Sequence, residues 1–316
     1  MRVVTALPAA RDRATLGGMI QLSIALAALL APAAPAKPAA LPTPNDIVAA
    51  APRSAWAAIP DDDVLVIDFE GGGRTIIQLA PQFAPVHVAN IRALASAGYW
   101  TGAGVYRVQD NYVAQWGVND DGKPLPLGVV KRPPAEYTRP LAGLNPRRLA
   151  YADPYSPRVG HALGWPVAWN PVTARASLTH CYGTVGVGRD LSPDTGTGGE
   201  LYAAIGHGPR HLDRNIAIIG RVIEGIDQLS ALPRGTEALG MYPKSMKPKG
   251  IVAVRLASAL TAAERPHFEY LREGSAAFAL YLEIRANRHD AFYDVPAGGV
   301  DLCNAPVPVR RTPAVQ

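Results

Sequence analysis

Two apolar runs, Val64-Leu65-Val66-Ile67 and Ile76-Ile77 with Leu79, flank the three glycines Gly71 to Gly73 and predict a β-hairpin. The pattern then changes period. Val88, Ile91, Leu94 and Ala95 fall on one helical face, Pro85 suits the first turn and Gly98 suits the C-terminal cap. Strand-like runs follow at 104–109, 112–117, 183–189, 201–206, 216–223 and 251–258, and a second helix is predicted at 224–232, ended by Pro233. Eight short strands and two helices favour a mainly β fold, an antiparallel barrel, because closure leaves no strand edge exposed.

The remaining segments carry weaker patterns. Residues 37–60 have the Pro/Ala composition of a linker with at most a short helical turn. Residues 118–182 hold ten prolines and no clear period, and read as a long insertion into the barrel domain 61–258. Its Tyr151, Tyr155, Trp165 and Trp169 would either wall a groove or pack as a surface embellishment. Residues 259–316 form a C-terminal extension with one helical stretch near 275–288 and a polar tail. At the other end, residues 1–36 combine arginines, an apolar stretch around Ala14 to Leu30 and the small residues Ala34-Pro35-Ala36. That is the layout of a cleavable export signal, with an uncleaved N-terminal membrane anchor as the alternative. The protein is therefore expected to be periplasmic or secreted.

Composition narrows the function classes. The chain has 316 residues, with 30 prolines and 30 glycines, and its net charge of +5 comes without a basic run or a basic-aromatic stripe, so nucleic acid is not an expected partner. Two cysteines, Cys181 and Cys303, could pair or stay buried and separate. His207 and His211 lie four apart but are divided by Gly208 and Pro209, and His180-Cys181 has no companion at zinc spacing, so no metal is expected. The stretch Asp194-Thr195-Gly196 lacks the second aspartate that acid-protease chemistry requires and reads as a glycine-rich turn.

The run Val105-Tyr106-Arg107-Val108-Gln109 poses a chemical question. Strict alternation would put Val105, Arg107 and Gln109 on one face and Tyr106 and Val108 on the other. A guanidinium in a strand needs partners or water, and Gln115 in the next strand is the obvious candidate.

The stretch from Phe83 to Gly117, and that from Gly183 to Asp227 with Leu212-Asp213 and Gly220-Arg221-Val222, are similar to the two signature regions of the cyclophilin family of peptidyl-prolyl isomerases. The resemblance runs over roughly 62–258, interrupted by the insertion. It implies an eight-stranded antiparallel barrel capped by two helices, no cofactor, and a monomer acting on proline-containing polypeptides, here in a bacterial envelope. By position it implies a catalytic Arg107 oriented by Gln115, with Tyr112, Val113, Tyr202 and Leu212 lining a proline pocket. Departures are Glu200 where glutamine is usual, His211 where tryptophan is frequent, Ile216 where histidine is frequent, and Gly188-Arg189 for an alanine-asparagine pair. Glu200 could pair with Arg107 and hold it back, or serve the bound peptide. These departures keep a second reading in view, a weakly active or inactive module that binds proline-containing peptides.

Overall fold

The computed structural model describes residues 41–118 and 123–312; the N-terminal segment 1–36, read as an export signal, lies outside them. Eight strands form a closed antiparallel barrel: β1 (Val64–Phe69), β2 (Arg74–Leu79), β3 (Gly104–Val108), β4 (Val113–Gly117), β5 (Thr184–Val187), β6 (Glu200–Ala204), β7 (Ile218–Glu224) and β8 (Lys249–Leu256). Around the barrel the order is β5-β6-β4-β3-β8-β1-β2-β7, and β7 pairs back to β5. The hairpin between β1 and β2 turns on Gly71, Gly72 and Gly73, whose φ values of 74°, 88° and 95° suit glycine alone at low cost.

The unbroken apolar run in β1 reflects burial on both faces. Leu65, Ile67 and Phe69 fill the lumen with Ile77, Leu79, Trp116 and Leu201. Val64 and Val66 point outward and pack with Ile76, Ile59, Leu260 and Phe268. A helix over Pro85–Ser96 closes one end of the barrel through the fully buried Val88, Ile91 and Leu94. Its N-cap residue, Ala84, offers no side-chain acceptor, and the insertion supplies one instead. Glu136 accepts the amides of Val86 and His87 at 2.9 Å each, satisfying donors that the helix leaves open. The second helix is shorter than its pattern predicts. It keeps only Asp227–Ser230, because β7 continues to Glu224, yet Leu229 still reaches the core.

Two expectations about the flanking segments are corrected, and one open alternative is narrowed. The insertion is not featureless: Arg139–Pro140, Arg147–Arg148, Arg158–Ala162, Trp165–Asn170 and Arg175–Leu178 form a five-stranded sheet. Trp165 and Trp169 are buried with Phe83 and Ile218, so they fasten the insertion to the barrel and do not wall a groove. The segment expected as a linker is also built into the fold. Thr43 and Asp46 form a capping box for the helix Pro44–Ala50, and Trp56–Ala58 pairs with Phe268–Leu271, which pairs with Val309–Arg311. Both ends of the described chain thus share one small core of Ile47, Trp56, Leu271, Phe278, Tyr281 and Val307.

Cys181, just after the insertion sheet, and Cys303, in the C-terminal extension, form a disulfide across 122 residues. A cross-link over so long a stretch restricts the unfolded chain substantially. Replacing both cysteines with serine is expected to lower unfolding free energy by about 2–4 kcal/mol, read from denaturant melts of the purified protein. A variant as stable as wild type would show that the extension holds its place by packing alone.

Candidate active site

The strand carrying Arg107 departs from simple alternation. Val105 lies opposite Trp116 and Arg107 opposite Gln115, with a register shift between them that makes Tyr106 the extra residue of a β-bulge. Val105 and Val108 both enter the core, while Tyr106 and Arg107 are both only partly buried. The expected two-face split is therefore wrong for this strand. The bulge instead lets neighbouring side chains, Tyr106 and Arg107, converge on Gln115.

Arg107 is held at three points. Its Nη1 donates to Gln115 Oε1, its Nη2 to Gln109 Oε1 and its Nε to the carbonyl of Leu239, each at 2.8 Å. All three acceptors are uncharged, and no carboxylate forms an ion pair with Arg107 among the described residues. A guanidinium has five N–H donors, so one on each terminal nitrogen is left over from these bonds. Gln115 is fixed in turn: its Nε2 donates to the Tyr106 hydroxyl at 2.8 Å, and that hydroxyl donates to Glu200 Oε1 at 2.5 Å. Burial, and then the adjacent Glu200 carboxylate, push the Tyr106 hydroxyl well above the ordinary tyrosine range, so it stays a donor. Glu200 therefore reaches the arginine's support, through Tyr106 and Gln115. Tyr106→Phe removes the proton donated to Glu200 and the acceptor for Gln115. It is expected to lower kcat about three- to tenfold with KM near wild type, the scale of one ordinary hydrogen bond, in a prolyl-isomerisation assay.

Val113 and Gln115 share the outer face of β4, since Ala114 and Trp116 face the lumen. Tyr202 lies directly across from Gln115 and Ala204 across from Val113. Val113 and Tyr202, 2% and 5% exposed, make an apolar floor beside the arginine. Tyr112 rises at its side, with the Arg107 guanidinium carbon 6.0 Å from its ring centroid. Its other neighbour is the exposed His211, stacked parallel at 5.9 Å, with His211 Nε2 3.5 Å from the Tyr112 hydroxyl. Leu212, half-buried, belongs to the same 3-10 turn, Arg210–Leu212. Ile216 lines a small cavity with Phe83, Tyr137 and Leu178, against the insertion. Arg189 donates to the Asn215 carbonyl and stacks on Tyr137, which bounds the same side.

Beneath the floor runs a buried polar chain that the sequence did not announce. The Tyr202 hydroxyl pairs with His180 Nε2 at 2.8 Å, and the room it occupies exists because residue 186 is glycine: a Cβ there would stand 2.3 Å from that oxygen. His180 Nδ1 meets Asp213 Oδ1 at 2.9 Å, Asp213 Oδ2 accepts from Arg210 Nε at 2.5 Å, and Arg210 forks onto Asp153 of the insertion. Every member is at least nine-tenths buried. The missed residues are thus Tyr106, Gln109 and Leu239 around the arginine and His180, Asp213, Arg210 and Asp153 in the buried chain. Only the Leu212-Asp213 step carried a signal, and what it pointed to was the pocket leucine.

This geometry can hold a prolyl ring on an apolar floor and present a fixed cation at its edge. Among the described residues no nucleophile–base pair adjoins the Arg107 guanidinium, which suits a reaction in which no bond to another atom is made. The family described as cyclophilin type peptidyl-prolyl cis-trans isomerase/CLD matches over residues 64–254. Proteins of Brucella suis biovar 1 (strain 1330) and Brucella melitensis biotype 1, both named probable peptidyl-prolyl cis-trans isomerase, are 23% identical over 186 residues, 59% of this chain and 79% of theirs. The crystal structure of cyclophilin AquaCyp293 from Hirschia baltica has a similar fold, with TM-score 0.64 and 22% identity over 86% of this chain and 98% of that one. With the family matching more than half of the sequence and the barrel built strand for strand, the chain belongs to the cyclophilin-type peptidyl-prolyl cis-trans isomerases.

Proposed function

We propose that the protein speeds rotation about X-Pro peptide bonds of polypeptides in the bacterial envelope, with Arg107 as the catalytic residue and Gln115 as its orienting partner. Rotation is slow because amide resonance must be broken, against a barrier of about 18–20 kcal/mol. Twisting the bond pyramidalises the proline nitrogen and turns it into a hydrogen-bond acceptor. A donor already aimed at that nitrogen favours the twisted form over both planar isomers. The observation that carries this reading is the pinning of Arg107 by three neutral oxygens. Its rotamer is set by acceptors that carry no charge, and among the described residues no carboxylate pairs with it, which suits a transition-state donor.

The floor of Val113 and Tyr202, with Tyr112 and His211 beside it, supports binding of the prolyl ring and of flanking apolar groups. Export rests on the signal-like N-terminus. The test is a protease-coupled isomerisation assay on an Ala-Pro tetrapeptide, run beside fractionation of cells producing the tagged full-length chain. Catalysed isomerisation by a mature, signal-cleaved protein in the periplasm or medium is the expected result. Peptide binding without turnover would support the non-catalytic module instead, and a cytoplasmic protein would remove the envelope role.

A further inference from the structure

The segment from Gly235 to Tyr242 lies along the edge of β3, where β8 pairs only at Val105 and Gly104. Gly235 N–H donates to Val108 O and Tyr242 N–H to Tyr106 O, each at 2.9 Å, and Met241 forms a bridge with Arg107 itself. At its tip Leu239 and Gly240 are both left-handed, with φ of 60° and 78°. Glycine tolerates that region while leucine enters it only at a cost, so Leu239 is held there against its own preference. Gly240 could not be replaced cheaply, since a Cβ would stand 2.6 Å from the Gln109 Cα. The Leu239 side chain is 69% exposed, so packing does not account for its conformation. What the conformation achieves is to aim the Leu239 carbonyl at Arg107 Nε, 2.8 Å away.

We infer that Leu239 is a positioning residue, its left-handed backbone serving to lock the Arg107 guanidinium from the side opposite Gln115. This inference rests on the prolyl-isomerase reading of the same site. Gln115 and Gln109 are side chains and can rotate; the Leu239 carbonyl is backbone, fixed by the bonds of the strap to β3. Removing it leaves the guanidinium hinged on its two terminal nitrogens and free to swing about the Nε bond.

Three substitutions at one position separate carbonyl from side chain. Leu239→Gly and Leu239→Asn keep access to the left-handed region, whereas Leu239→Val keeps an apolar side chain but disfavours it. The expected result is a roughly tenfold fall in kcat at unchanged KM for Leu239→Val, and activity within twofold of wild type for Gly and Asn. Thermal melting should move by only a few degrees, up or unchanged for Gly and Asn and down for Val, because the side chain is exposed and only the backbone preference changes. In ¹⁵N-arginine spectra, the Arg107 Nε–H signal, assigned by its absence in Arg107→Lys, should exchange with water about tenfold faster in the Val variant only. Equal losses in the Gly and Val variants, or wild-type kcat and exchange in the Val variant, would overturn the inference. A wild-type protein that fails to catalyse isomerisation, with its Nε–H still protected, would instead overturn the functional reading and leave the lock standing.

Discussion

Arg107→Ala is expected to lower kcat/KM for an Ala-Pro peptide by about 10²–10³-fold, the cost of removing one preorganised donor from a site of developing charge. The fall should lie in kcat. The guanidinium makes its decisive contact only when the proline nitrogen has pyramidalised, so ground-state binding changes little. Stability should be close to wild type, because Arg107 is only partly buried and two of its three acceptors are glutamine side chains that can turn to water once it is gone. Arg107→Lys should recover little of the loss: an ammonium cannot reach Gln115, Gln109 and the Leu239 carbonyl together. Stopped-flow coupled assays and urea melts of the three proteins measure both halves. A variant that is equally impaired in binding and in stability would point to a structural arginine.

Asp213→Ala should have the largest effect on stability, about 3–5 kcal/mol, the usual cost of deleting one member of a buried ion pair. Asp213 accepts the His180 backbone amide at 2.8 Å and the His180 ring at 2.9 Å with one oxygen, and Arg210 at 2.5 Å with the other. Its loss strands a buried amide and imidazole N–H and leaves Arg210 with Asp153 alone. At about 2–4 °C per kcal/mol for a chain of this size, melting should fall by roughly 10 °C. Asp213→Asn, which keeps an acceptor, should lose less. Because the chain ends on the Tyr202 hydroxyl, KM should rise in whichever variant remains folded at assay temperature. A melting point within 2 °C of wild type for Asp213→Ala would show that the network contributes little to the fold.

How much of this was legible in the sequence differs by element. The barrel was, because strands and the first helix have the periods that their burial imposes, as in Val88, Ile91 and Leu94. Arg107, Gln115 and Tyr112 were placed by resemblance, and the structure brings all three together. The face assignment at Tyr106 failed because a bulge is a tertiary event, with no residue type to mark it. The insertion hid its sheet for a related reason: the hairpin between Arg158–Ala162 and Trp165–Asn170 turns at Leu163-Gly164, both left-handed, where asparagine-glycine would have been a clear signal. The segment 41–58 was legible in part. Thr43-Pro44-Asn45-Asp46 has the spacing of a capping box, but its Pro/Ala surroundings read as linker, and the partner strand Phe268–Leu271 lies some 210 residues away by number. Ile216 adjoins the insertion, whose sheet, unseen in the sequence, supplies Ser177 and Leu178 to the cavity it lines.

The pinned guanidinium of Arg107 is expected to turn a prolyl-binding floor into a catalyst. Two-dimensional exchange NMR on a labelled Ala-Pro tetrapeptide tests this most directly, because it reports binding and interconversion in one spectrum. With wild-type protein at a few per cent of the peptide concentration, cross-peaks between cis and trans resonances should appear on the sub-second scale, and they should vanish with Arg107→Ala while the resonances still shift on binding. Shifts without cross-peaks for the wild type, or cross-peaks that survive in Arg107→Ala, would show that Arg107 is not the catalytic donor.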